Sequence, residues 1–163
     1  MHEGPEWIGS DKALLSAIAR LRLVAARELP VLVLGETGTG KELAARTVHA
    51  ASERAGGPWV ALNCGALPEP LIESELFGAA RGAYTGALVA RGGLVEAAEG
   101  GTLFLDEIGD AGAALQMKLL RLLDTGEFRR VGETRTRHAR VRRSIEKAGL
   151  PGMTFYASGE WSG

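Results

Sequence analysis

The run Val31-Leu32-Val33-Leu34-Gly35-Glu36-Thr37-Gly38-Thr39-Gly40-Lys41 decides the fold of this 163-residue chain. Four continuous apolar residues ending in glycine read as a strand buried on both faces of a parallel sheet. The next seven fit the spacing G-x-x-x-x-G-K, and they lie where the chemistry requires, between that strand and a helix expected from Gly40 to about Glu53. Glycines let the backbone wrap a phosphate closely, successive amides and the helix N-terminus supply donors, and Lys41 can reach the terminal phosphates. Gly35, Glu36, Thr37, Gly38, Thr39, Gly40, Lys41 and the adjacent Glu42 are therefore the candidate nucleotide-binding residues. Glu42 stands where the generic motif has a serine or threonine whose hydroxyl ligates magnesium.

Working outward, an amphipathic helix is expected from about Asp11 to Arg27 behind a Ser10 cap, with Leu14, Leu15, Ile18, Leu21 and Val24 near helical spacing. Trp59-Val60-Ala61-Leu62 and Thr102-Leu103-Phe104-Leu105 read as further short strands. Helices are expected at Glu69 to Phe77 and at Ala113 to Leu123. The alternation of strand and helix predicts an α/β fold with a mainly parallel sheet.

Composition narrows the function classes. The chain is 45% hydrophobic and 24% charged, enough for a globular core, and 19 Lys plus Arg against 20 Asp plus Glu exclude a uniformly basic nucleic-acid coat. A single cysteine, Cys64, cannot form an internal disulfide, and His2, His49 and His138 have no metal-ligand spacing. The N-terminal stretch has neither the basic segment nor the apolar core of a signal peptide. The apolar run around Val31 is much shorter than the roughly 20 residues of a membrane span. A cytoplasmic setting with no membrane association is expected.

Asp106-Glu107 ends the strand at 102–105, as a P-loop protein presents a magnesium-associated acid and a water-activating acid. In that reading Asp106 holds the hydrated cation and Glu107 polarises the attacking water, so ATP and Mg2+ are the expected ligands. Asn63, ending the strand at 59–62, has two readings: a hydrogen bond that restrains Glu107, or a turn.

GETGTGKE at 35–42, LNC at 62–64, ELFG at 75–78, GAYTGA at 82–87, GGTLFLDEI at 100–108 and LLRLLDTGEFRRVG at 119–132 resemble, in order, the AAA+ central domain of sigma-54-dependent transcriptional activators. The resemblance implies an AAA+ P-loop NTPase fold, a three-layer sandwich, over residues 1–142. Glu42 is the usual residue of that family at its position. GAYTGA resembles the GAFTGA signature, the loop tip that engages sigma-54 in a nucleotide-dependent way, which makes Gly82, Ala83, Tyr84, Thr85, Gly86 and Ala87 candidate partner-binding residues. The partner implied is the sigma-54 RNA polymerase holoenzyme, contacted from a homo-oligomeric ring. The resemblance also implies that Asn63 restrains Glu107, that Ile8 and Gly9 lie beside the adenine, and that residues 126–140 form a second loop moving with the first.

The resemblance ends at Arg142. Where the family has an apolar central strand ending in a sensor asparagine, this chain reads RSIEKAGLP at 143–151. Residues 143–163 are therefore expected to form a divergent tail, leaving the sheet incomplete after the second loop, with a hole between the P-loop strand and the Asp106-Glu107 strand. Met153 to Ala157 is the candidate to fill it. No match is found to the family's arginine fingers, lid or helix-turn-helix DNA-binding domain, so hydrolysis is expected to be weak even where ATP binds. Three alternatives stand beside the ATPase reading: a non-catalytic module that binds sigma-54 or ring partners, a non-functional truncated product, and a nucleic-acid contact through the basic residues from Arg129 to Lys147.

Overall fold

A computed structural model describes residues 4–27, 31–34, 38, 40–108, 111–147 and 154–156. The first helix, α1, spans Lys12–Ala25, and its cap is Asp11 and not Ser10: the Asp11 carboxylate accepts hydrogen bonds from the amides of Ala13 at 3.1 Å and Leu14 at 3.4 Å. A carboxylate there satisfies two orphan amides and also favours the positive end of the helix. Strand β1 (Val31–Leu34) leads towards α2 (Lys41–Ala50); β2 (Trp59–Asn63) is followed by a single 3-10 turn at Cys64–Ala66 and by α3 (Glu69–Phe77). A four-residue helix α4 (Leu94–Ala97), β3 (Thr102–Asp106) and α5 (Ala113–Thr125) come next. The chain then forms the small hairpin β4 (Glu127–Phe128) and β5 (Arg137–His138), and ends in β6 (Arg142–Lys147) and β7 (Thr154–Tyr156).

The main sheet has the order β2-β3-β6-β1-β7. Four strands are parallel and β7 runs antiparallel to β1. The expected hole is therefore absent, and the segment that fills it is the charged one. Strand β6 pairs in parallel with β1, Val31 opposite Ser144 through Leu34 opposite Lys147, and with β3, Thr102 opposite Arg142 through Leu105 opposite Ile145. The expectation for Met153 to Ala157 is corrected as well: Thr154–Tyr156 lies at the sheet edge, on the far side of β1. Backbone hydrogen bonding gives the physical reason, because two parallel strands with nothing between them would leave two ladders of donors and acceptors unpaired. Six residues of RRSIEK satisfy both ladders even though a central parallel strand normally reads as apolar.

Helices cover both faces. On one, Val31 and Val33 of β1 pack with Leu21 and Ala25 of α1 and with Ala44 and Val48 of α2. On the other, Leu103 and Leu105 of β3 pack with Ile72, Leu76 and Phe77 of α3, Val95 of α4 and Leu115, Leu119 and Leu122 of α5. This is the three-layer α/β sandwich expected of the chain.

One glycine contact fixes the root of the loop at 80–90. A Cβ on Gly93 would be driven into the backbone of Leu76, Phe77 and Gly78, and Gly78 itself adopts φ +80°. The two segments thus meet backbone to backbone, and Ala79 and Arg91 then exchange amide hydrogen bonds of 2.9 and 2.8 Å. Because the obstructing atoms are backbone, Gly93→Ala is expected to cost about 1–3 kcal/mol, read as a lower denaturation midpoint in urea at unchanged slope.

Candidate nucleotide site and partner loop

The carboxyl ends of β1 and β3 lie at the same edge of the sheet, separated by one strand, because β1, β6 and β3 are all parallel. Two inter-strand spacings put them about 10 Å apart. The crevice at the carboxyl edge of an open parallel sheet is where such folds bind ligands. Lys41 is the first residue of α2 and only 5% exposed, and Gly40 before it is left-handed at φ 81°, a conformation that favours glycine. Gly40 offers no side-chain cap, so the first amides of α2 have no side-chain acceptor from it. That donor set and a buried ammonium fit a phosphate chain. Gly35, Glu36, Thr37 and Thr39 lie outside the described residues. Glu42 is on the exposed face of α2, where it accepts a 3.0 Å hydrogen bond from Arg46.

Across the crevice, Asp106 is half-buried and Glu107 exposed. Glu107 has φ 54°, the one positive φ of a non-glycine residue among the described residues. Its carboxylate lies against Gly65, in the space where a Cβ on residue 65 would be. Asn63 is in register with Asp106, and its Oδ1 accepts a 2.9 Å hydrogen bond from the Gly65 amide, capping the 3-10 turn. Asn63 and Glu107 are not hydrogen-bonded to each other, so of the two sequence readings of Asn63 the turn is the one realised here. Asp106 supplies an oxygen donor of the hard type that magnesium takes, usually through its waters, so the residues present also fit that ion.

Gly65 was missed by sequence reasoning, since a glycine two residues beyond a strand end looks like any turn. A second miss is the link from Trp7 to α2: the indole Nε1 donates to Thr47 Oγ1 at 2.8 Å, and Thr47 in turn donates to the Leu43 carbonyl at 2.8 Å. This anchors the segment carrying Ile8, which is 94% exposed, and Gly9, at φ 146°. An uncovered isoleucine beside α2 is a surface on which an apolar ring could lie.

Cys64, between Asn63 and Gly65 in the chain, is buried. Burial first, then the charges of Asp106 and Glu107, push its thiol from 9.0 up to about 11. At pH 8 its thiolate fraction is about 100-fold below that of an ordinary thiol, so alkylation by iodoacetamide is expected to be at least that much slower than in the unfolded chain. Asp106→Asn removes one of the raising charges and is expected to accelerate it.

The loop at 82–87 is a tight, exposed tip. The Gly82 amide donates to the Ala87 carbonyl at 2.8 Å, and the Ala87 amide to the Tyr84 carbonyl at 3.0 Å. Gly82 and Gly86 both take positive φ, 76° and 95°. Thr85 is exposed, Tyr84 is 50% exposed, and Ala83 is half-buried against Gly132 of the second loop. The two loops are tied through Val131, whose carbonyl accepts from Ala80 and whose amide donates to Gly78, each at 2.9 Å.

Within the basic run from Arg129, Arg130 is held by Glu96 in a two-point contact of 2.9 and 2.8 Å, and Arg137 by Glu133 at 2.9 and 3.0 Å. Arg130 thus braces the second loop against α4, and the Arg137–Glu133 pair closes within the loop itself. No helix among the described residues is long and apolar enough to cross a membrane.

Comparison with known proteins agrees with this geometry. The model of the Sigma-54 interaction domain matches residues 7–145. The Nif-specific regulatory protein of Rhodobacter capsulatus is 55% identical over 129 residues, 79% of this chain and 22% of that protein. The nitric oxide reductase transcription regulator NorR2 of Cupriavidus necator is 54% identical over 139 residues, 85% of this chain and 27% of that one. The crystal structure of NtrX from Brucella abortus in complex with ATP aligns with a TM-score of 0.79 at 34% identity, over 89% of this chain and 31% of that chain. The P-loop NTPase domain of an E. coli sigma-54 activator aligns at 0.52 and 19% identity, which supports the fold. This chain thus spans between a fifth and a third of those longer regulators. By its motifs, its sheet order and the match over residues 7–145, the chain belongs to the Sigma-54 interaction domain family, the AAA+ P-loop NTPase domain of sigma-54-dependent transcription regulators.

Proposed function

We propose that this chain binds Mg-ATP at the edge formed by β1 and β3 and uses the state of that nucleotide to present the 82–87 loop to sigma-54 in the cytoplasm, as part of a ring of like chains. The observation that carries the reading is buried Lys41, at the start of α2, and the Asp106-Glu107 pair, at the end of β3, at the carboxyl edge of a sheet in which β6 joins β1 to β3.

In this reading the first amides of α2 and the Lys41 ammonium receive the β- and γ-phosphates. Asp106 would hold magnesium through water, and the bound ion would supply electrostatic stabilisation for phosphoryl transfer. Glu107 orients and polarises the attacking water. Its exposed carboxylate lies over Gly65, held by a backbone that Asn63 pins. Movement at this edge reaches the partner loop through α3 and the Gly78–Val131–Ala80 hydrogen bonds. Turnover by these 163 residues alone is expected to be weak, since neighbouring arginine fingers supply a large share of the rate in such ATPases, on the order of 10³ to 10⁵.

A binding-only module is the second reading, favoured by the engagement of Asn63 with Gly65 instead of Glu107. Capture of purified sigma-54 on the immobilised chain, with and without a non-hydrolysable Mg-ATP analogue, tests the proposal. The expected result is capture that needs the analogue and is lost in Thr85→Ala. Capture indifferent to both nucleotide and Lys41→Ala would leave only the binding-only module standing, and no capture at all would refute both readings.

A further inference from the structure

Leu88 and Val89, just beyond the hexapeptide at 82–87, are 80% and 74% exposed, while Tyr84 beside them is 50% exposed. Among the described residues, Leu88 and Val89 are the one pair of adjacent large apolar side chains left exposed. The backbone beneath them is fixed. The Leu88 amide donates to the Gly86 carbonyl at 2.9 Å, and three residues on, Arg91 is bonded to Ala79 through its backbone and to Glu75 through a 2.6 Å ion pair. Arg81, at the other side of the tip, is exposed and makes no ion pair with any described residue. Leu88 and Val89 belong to neither hydrophobic core cluster, and adjacent apolar side chains that a chain leaves in water mark a contact surface.

We infer that Leu88 and Val89 form, with Tyr84, an apolar footing that extends the partner contact beyond 82–87, and that the surface it meets on sigma-54 is an apolar patch with an acidic flank facing Arg81. The inference rests on the proposed sigma-54 contact and deepens it. The occupant follows from continuity, since the three side chains share one loop with Thr85, and from charge, since Arg81 is the cation at the tip whose charge no described residue meets in an ion pair. Desolvated aliphatic anchors at the centre of a contact carry much of its affinity, whereas a rim charge acts mainly on encounter rate and salt dependence.

The test uses the whole 163-residue chain with a non-hydrolysable Mg-ATP analogue and purified sigma-54. Leu88→Gln with Val89→Thr keeps side-chain volume and removes the apolar surface. The double variant is expected to weaken sigma-54 binding by at least tenfold, and Arg81→Gln to flatten its salt dependence. Wild-type binding that is lost in Thr85→Ala but intact in the double variant would overturn this inference and leave the proposed function in place. Failure of the wild-type chain to bind would overturn both. A fall in the thermal midpoint of the double variant would assign these side chains to the fold instead, and self-association of the wild-type chain that the double variant abolishes would make a second copy the occupant; either result refutes the inference.

Discussion

Ile145→Pro is expected to cost about 3 kcal/mol or more, and to lower the thermal midpoint by at least about 6 °C for a chain of this size. Ile145 is in register with Leu32 on one side and Leu105 on the other, so it sits in the middle of the strand that joins the P-loop strand to the acid-bearing strand. Proline removes a ladder donor and is found in sheets essentially only at edges, first positions or bulges. The internal control is Phe155→Pro in β7, which pairs on one side only. There the loss is expected to stay below about 1 kcal/mol. Equal small costs at both positions would mean that 142–147 does not form a central strand in solution.

Lys41→Ala is expected to weaken binding of an Mg-ATP analogue by 100-fold or more in titration calorimetry. Hydrogen bonds to charged partners are worth about 1.5–3 kcal/mol, and this ammonium is only 5% exposed, in a position where water screens it little. A variant that still unfolds cooperatively but binds nucleotide poorly is the expected pattern; unchanged affinity would remove Lys41 from the site.

Helices α1, α2, α3 and α5, three of the strands and the glycine-rich turn were legible because each carries a local signal. Val31–Leu34 is a continuous apolar run, and α5 repeats leucine at helical spacing at Leu115, Leu119 and Leu122. Strand β6 was illegible for the opposite reason: RRSIEK has no apolar continuity, and its position is set by two backbone ladders that no local pattern encodes. The site divides similarly. Lys41, Asp106 and Glu107 stand at strand and helix ends that the pattern locates. The Gly65 seat under Glu107 and the Asn63 bond to it depend on χ angles and a left-handed backbone at residue 107, which sequence does not display.

Thermal unfolding of the intact chain with and without a non-hydrolysable Mg-ATP analogue tests most directly whether β6 completes a working nucleotide site. At 100 times its dissociation constant the analogue should add about 2.7 kcal/mol, a rise of about 5–11 °C, in the wild-type chain and not in Lys41→Ala. A cooperative transition that does not move, or that moves equally in Lys41→Ala, would contradict the account.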